Sequence, residues 1–207
     1  MASTIPGIIL AGGLATRMGG GDKGLIRLGD MTLLDHVLAR LRPQCGKVAL
    51  NANGAPTRFA SLGLPVLPDT VAGFPGPLAG ILAGLDWAHS QGQEAIVTVA
   101  QDTPFLPDDL VERLEQGQSN IGKAIVLAAT VGDDGQVHRH PTAGLWPVQL
   151  RDDLRAALDQ GVRKVGAWAD RHAVALATFS SLPIDPFFNI NTLEDAQNAL
   201  ELLGNQA

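Results

Sequence analysis

Short apolar runs alternate with segments of helical period along the chain. Ile8-Ile9-Leu10-Ala11 predicts a buried strand that glycines then break. Leu33, Leu34, Val37, Leu38 and Leu41 share one helical face, and Pro43 ends that helix. Lys47 to Asn51 and Pro65 to Leu67 read as two further strands, and Leu78 to His89 as a helix. Ala95 to Ala100 is the clearest buried strand, followed by a helix from Asp108 to Gln116 and a strand from Ala124 to Thr130. Beyond the turn signal at 132–135 come a short strand at Gly144 to Pro147, a helix from Val148 to Leu158 and a strand from Ala173 to Phe179. A last helix starts near Thr192, with Asp195 placed three residues on for a capping box. The strands are nearly all apolar, so both of their faces need cover. The pattern predicts an α/β fold: a Rossmann-like, mostly parallel sheet with helices on both faces.

Composition narrows the class. The chain has 207 residues, 45% hydrophobic and 17% charged, enough for a real core in one domain over 1–207. Within that domain an N-terminal half, about 1–105, and a C-terminal half, about 106–207, are expected. The formal net charge of −6 argues against nucleic acid or an anionic membrane as partner, because neutralising phosphates needs clustered bases. Cys45 is the only cysteine, which excludes an intramolecular disulfide and a Cys-rich metal site. Met1 to Gly7 lacks a basic n-region, and no apolar run approaches a membrane span, so a cytoplasmic location is expected.

Candidate chemistry concentrates after the first strand. Leu10 to Gly24 holds six glycines and two bases, Arg17 and Lys23, in fifteen residues. Glycines let backbone N–H groups approach phosphate oxygens, and the bases add fixed positive charge. An ordinary surface loop is the alternative. Two look-alikes fail on context. The G-x-G-x-x-G match at 19–24 lies well past the strand, which weakens a nicotinamide oxidoreductase. The near P-loop at 117–124 ends in alanine and leads from helix to strand, which weakens a GTP-binding switch. Asp102 follows the strongest strand, where a carboxylate can hold Mg²⁺ or cap the next helix. Asn51 ends the second strand and Asp69 follows the third, and both suit a base edge, ribose hydroxyls or Asx turns. Trp87, Trp146 and Trp168 read as packing residues, and the polar stretch His138-Arg139-His140 as a solvated loop.

Leu10-Ala11-Gly12-Gly13, then Arg17-Met18-Gly19 and Asp22-Lys23-Gly24, resemble the molybdenum cofactor guanylyltransferases, which are MobA-like nucleotidyltransferases with a nucleotide-diphospho-sugar transferase-like fold. Asn51-Ala52-Asn53, Pro68-Asp69, Pro75 to Gly80, Asp102-Thr103-Pro104, His140-Pro141-Thr142 and Asn189 to Thr192 extend the resemblance in order over nearly the whole chain. It implies Mg²⁺-dependent transfer of GMP from GTP to molybdenum-molybdopterin. It assigns Arg17, Lys23 and Asp102 to catalysis, and Leu10, Ala11, Gly12, Gly13, Lys23, Asn51, Asp69, Gly76, Pro77 and Asp102 to the nucleotide, with Asp102 on the metal. On the acceptor side it leaves His140, Arg163, Asn189 and Asn191, for which helix entry and surface roles stay open. It implies cofactor-insertion proteins or apo-molybdoenzymes as partners. The double glycine Gly12-Gly13 resembles the guanylyl rather than the cytidylyl branch. A nucleotidyltransferase of the same fold using another base or acceptor is the alternative, namely a molybdopterin cytidylyltransferase or a sugar-phosphate nucleotidyltransferase.

Overall fold

A computed structural model describes residues 3–12, 21–71, 76–121, 125–132 and 134–204. Its strands are β1 (Gly7–Leu10), β2 (Arg27–Leu28), β3 (Met31–Thr32), β4 (Val48–Asn51), β5 (Val66–Leu67), β6 (Ala95–Ala100), β7 (Ile125–Val131), β8 (Val137–Pro147) and β9 (Val174–Ser180). Its helices are α1 (Leu33–Leu41), α2 (Pro77–Ser90), α3 (Leu110–Ile121), α4 (Arg151–Asp159), α5 (Val165–Ala169) and α6 (Leu193–Gly204). Seven strands form one sheet in the order β5-β4-β1-β6-β8-β7-β9, and β2 pairs with β3 as a separate small ladder. β8 runs antiparallel to β6 and β7, and every other pairing in the large sheet is parallel.

Successive strand residues point to opposite faces, and the two cores follow from that. Ile9, Val97 and Val99 pack on one side with Leu34, Val37 and Leu41 of α1 and Leu110 and Leu114 of α3. Ile8, Leu10 and Ile96 pack on the other with Leu78, Ile81, Leu82 and Leu85 of α2, Leu154 and Leu158 of α4 and Trp168 of α5. Trp146 and Trp168 stack at 5.8 Å between centroids. Their indole N–H groups donate to Thr98 Oγ1 and Asp153 Oδ1, both at 2.8 Å, so neither large ring buries an orphaned donor. A third, smaller cluster joins Leu28, Leu33, Phe105, Ile190 and Ala199. It ties together the β2–β3 ladder, the chain after β6 and the C-terminal helix. Cys45 lies inside the first core, where burial pushes its thiol up to about 12, so it is inert at neutral pH.

Most expected elements form, and the main difference is β8. In place of a four-residue strand preceded by a solvated loop, eleven residues are extended, and His138, Arg139 and His140 pair with β7. The register shifts between Leu127 and Ala128, whose partners are Gly144 and His140, so Pro141 to Ala143 stand out as a bulge. Proline lacks an N–H for a ladder and fits at such a position. Val148–Leu150 is a 3-10 turn ahead of α4, so the helix begins three residues later than expected. The 3-10 segment Pro56–Leu62, the β2–β3 ladder and α5 are further elements that the hydrophobic pattern does not mark. Among the described residues, no helix is long and apolar enough to cross a membrane.

Candidate active site

β1 and β6 are neighbours whose onward connections lead to opposite halves of the sheet, β1 to β4 and β6 to β7. In an open α/β sheet the crevice beyond such strand ends is where ligands bind. A cleft of about 600 Å³ opens there. Leu10, Gly12, Ala100, Gln101 and Asp102 form its floor. Asn51, Asn53, Asp69, Gly76 and Pro77 stand on one side, and Lys23, Thr142, Asn189 and Asn191 on the other.

The centre of the cleft is an ionic triad. Lys23 begins a 3-10 turn and is only 7% exposed. Its Nζ donates to Asp102 Oδ2, and to Asn191 Oδ1 at 2.6 Å. A buried ammonium needs such partners, because removing its hydration otherwise costs several kcal/mol. Backbone bonds fix each member. Gly24 N–H donates to Gln101 Oε1 at 3.0 Å, holding the turn against the residue before Asp102. Ile190 N–H donates to the Asp102 carbonyl at 3.0 Å, bringing Asn191 alongside. The capping box of α6 completes the support: Asp195 Oδ2 accepts from the N–H groups of Asn191 and Thr192, both at 2.8 Å, and Thr192 Oγ1 accepts from Asp195 N–H at 3.1 Å. The Asn191 N–H bond is the chief cause holding the Asp195 carboxyl below its ordinary 3.8.

A second network forms the other wall. Asn51 Nδ2 donates to the Leu67 carbonyl at 3.0 Å and to Asp69 Oδ1 at 2.9 Å. Asn53 Nδ2 donates to Asp69 Oδ2 at 2.7 Å, and its Oδ1 accepts from Asp69 N–H at 2.8 Å. Arg58 pairs with Asp22 at 2.7 Å and donates to the Asn53 carbonyl, so it joins this wall to the turn that carries Lys23. The helix α2 approaches Asn51 so closely that only glycine fits at position 80. A Cβ there would lie 2.1 Å from Asn51 Oδ1. Gly76, with φ +148°, sits at the N-cap of α2 ahead of Pro77 at its first position.

A side pocket of about 140 Å³ adjoins the cleft on the β8 side, sharing Ala100, Thr142 and Asn189 with it. Arg139, His140 and Phe187 also line it. The His140 ring stacks on Phe187 at 4.5 Å, and its Nε2 lies 2.9 Å from Thr130 Oγ1. Burial, with help from His138 and against Asp185, holds His140 below its ordinary 6.5, so the ring is neutral at pH 7.

Of the residues singled out in the sequence, Leu10, Gly12, Lys23, Asn51, Asp69, Gly76, Pro77, Asp102, Asn189 and Asn191 line the cleft, and His140 lines the side pocket. Ala11 is buried behind the lining, with its N–H on the Asn51 carbonyl at 2.8 Å. Arg163 lies apart in the α4–α5 turn, against the carbonyl of Val162 at 3.3 Å. Gly13 and Arg17 fall outside the described residues. Sequence reasoning missed Gln101, whose only signal is its place between β6 and Asp102. It also did not single out Asn53 and Thr142, both of which sit inside quoted motifs. Among the described residues no group of three His, Cys, Asp or Glu side chains could cage a metal. The donors present suit a hard cation shared with a ligand instead. The Asp102 carboxylate and the Asn191 carboxamide oxygen converge on one point already occupied by the Lys23 charge.

The description "MobA-like NTP transferase domain" matches residues 7–174. A molybdenum cofactor guanylyltransferase of Bradyrhizobium sp. is 52% identical over 203 residues, covering 97% of this chain and 93% of the relative. One of Nitrobacter hamburgensis is 49% identical, covering 95% and 93%. The crystal structure of molybdopterin-guanine dinucleotide biosynthesis protein A from Archaeoglobus fulgidus superposes with a TM-score of 0.73 at 22% identity, covering 97% of this chain and all of that one. That likeness is one of fold. The match over most of the chain, together with relatives near half identical over almost its full length, means that this chain belongs to the MobA-like NTP transferase family.

Proposed function

We propose that the protein transfers GMP from GTP to molybdenum-molybdopterin, giving the guanine dinucleotide form of the cofactor and pyrophosphate. The observation that carries this reading is the meeting of Lys23, Asp102, Asn51 and Asp69 in one cleft at the switch point of the sheet. The relatives near half identical, all named for that activity, give the base and the acceptor.

The reaction joins two polyanions. An acceptor phosphate oxygen attacks the α-phosphorus, the α–β anhydride bond breaks, and pyrophosphate leaves with the electron pair. The nucleophile is already an anion, so the protein needs no strong general base. Its work is to position the reactants and neutralise charge. Lys23 supplies the buried positive charge at the centre of the cleft. Arg17 is proposed to act with it on the leaving pyrophosphate. Asn51 and Asp69 offer carboxamide and carboxylate groups to the guanosine, and glycines at 12 and 76 keep the wall low where the nucleotide enters. Asp102, with Asn191 beside it, would hold Mg²⁺, which supplies charge neutralisation to the triphosphate when bound. The N-terminal half, about 1–105, thus takes the nucleotide. The C-terminal half takes the acceptor through Asn189, Asn191 and the pocket beside His140, while Arg163 lines neither cavity and is given no role in this reading. A cytoplasmic setting, and delivery to insertion proteins or apo-molybdoenzymes, fit this chemistry.

The test is a panel of GTP, CTP, ATP and UTP with Mg²⁺ and molybdenum-loaded molybdopterin, scored for pyrophosphate and for product mass. GTP is expected to give the guanine dinucleotide at a rate well above the others. Preference for CTP, or hydrolysis to GDP and phosphate, overturns the proposal.

A further inference from the structure

The cleft holds two groups suited to a divalent ion, the Asp102 carboxylate and the Asn191 carboxamide oxygen, and both are bonded to the Lys23 ammonium. We propose that Lys23 is a stand-in cation: without nucleotide it keeps the Asp102 position closed to a divalent ion, so ion and nucleotide bind together and not separately. The inference rests on the reading of Asp102 as the metal ligand.

Three observations support it. The Lys23 and Asp102 side chains are 9% and 17% exposed, so water screens the pair poorly, and a second cation would meet the ammonium at close range. Both residues line the cleft, so the pair faces an incoming ligand and is not closed inside the core. Finally, the turn that carries Lys23 is fixed independently of the bonds its ammonium makes. Gly24 N–H is tied to Gln101, and a Cβ on Gly24 would meet Gln101 Oε1 and Leu34 Cγ at 2.6 Å. The turn therefore stays in place while the four-carbon stem can redirect its charge.

A polyphosphate entering the cleft offers the ammonium more negative charge than one carboxylate does. Lys23 moves to it, and Asp102 is left to take the ion. Linkage makes the effect reciprocal: whatever nucleotide does for ion affinity, the ion does for nucleotide affinity. Couplings of this kind run from about fivefold to about 150-fold.

The experiment titrates Mn²⁺ into the nucleotide-free protein, with free ion read from its electron paramagnetic resonance signal. Wild type is compared with Lys23→Met, Asp102→Asn and the double variant. Lys23→Met is expected to bind Mn²⁺ about tenfold or more tightly than wild type, and the double variant to lose that gain. Lys23→Gln, which keeps a donor for Asp102, covers the case in which the methionine variant does not fold. A second arm repeats the titration with GTP present. Equal Mn²⁺ affinity in wild type and both Lys23 variants, with Asp102→Asn still abolishing uptake in the GTP arm, overturns the stand-in role and leaves the metal assignment intact. Full Mn²⁺ uptake by Asp102→Asn in the GTP arm overturns the ligand assignment and the inference with it.

Discussion

Gly80 shows how one absent side chain fixes a binding residue. Alanine is the better helix former by about 1 kcal/mol, so a glycine inside α2 has a local cost. The gain is the space for Asn51, since a Cβ would also meet Leu10 Cδ2 at 2.9 Å. Gly84, one turn on, makes the same kind of room for core residues, where a Cβ would meet Ile8 Cγ1 at 2.8 Å and Ile96 Cδ1 at 2.9 Å. The two substitutions should therefore separate. Gly80→Ala pushes Asn51 off Asp69 and raises the KM for GTP roughly tenfold, the equivalent of one lost hydrogen bond of about 1.4 kcal/mol. Gly84→Ala costs about 1–3 kcal/mol of stability by overpacking and leaves that KM near wild type. Steady-state kinetics beside thermal melts read both. An unchanged KM in Gly80→Ala would release Asn51 from the nucleotide. Much of this scale was legible in the sequence. Asn51 ends a strand, Asp69 and Asp102 come just after strands, and Lys23 sits in the glycine-rich stretch beyond the first. Parallel strands carry such residues to one edge. What could not be read was contact between distant positions: that Lys23 meets Asp102, 79 residues on, or that Gln101 takes the Gly24 N–H. A lone glutamine announces no chemistry.

At the scale of elements, the site depends on one that the sequence hides and one that it declares. β8 hid because its outer half is polar and exposed and its middle carries Pro141 in the bulge, so neither alternation nor an apolar run marks it. The bulge is what matters for function. It lifts Pro141 to Ala143 out of register with β7 while Thr98 Oγ1 holds the Thr142 carbonyl at 2.8 Å, which leaves Thr142 lining the cleft. The helix α6, by contrast, was announced by Thr192 and Asp195. Its cap has a second task, because Asp195 also takes the N–H of Asn191, the partner of Lys23. Asp195→Ala should cost about 1 kcal/mol as a lost cap, a fall in Tm of about 2–4 °C for a chain of this size, and should lower turnover beyond what that loss explains. The cap also has a pH signature. The folded carboxyl sits below its ordinary 3.8. Its contribution is therefore complete above that value and fades as pH falls through the lower folded value. Wild type and Asp195→Ala should draw together in stability as pH is lowered below about 4. A gap that persists at acid pH would place the effect outside the ionised cap.

Across the whole molecule, the switch point divides labour between the halves of one sheet. β5 and β4 lead into the Asn51–Asn53–Asp69 wall, and the middle of β8 lines the pocket beside His140, with Lys23 and Asp102 between them beyond the carboxyl ends of β1 and β6. A reaction that joins two large anions benefits from this plan, because each ligand keeps its own wall and only the reacting phosphates share the charged centre. The plan makes a claim that single-site kinetics can decide. Asp69→Asn removes a charge from the nucleotide wall and should raise the KM for GTP roughly tenfold, with little change in the KM for the acceptor. His140→Ala opens the side pocket and removes the ring stacked on Phe187, so it should raise the KM for the acceptor and spare that for GTP. Because burial keeps His140 neutral, its effect should also be flat from pH 7 upward. It should change only below the ordinary histidine value, where protonation becomes possible. Crossed effects, with His140→Ala raising the KM for GTP as much as Asp69→Asn does, would mean that the two ligands share one undivided surface. The mirrored arrangement of the strands would then be a feature of the fold alone.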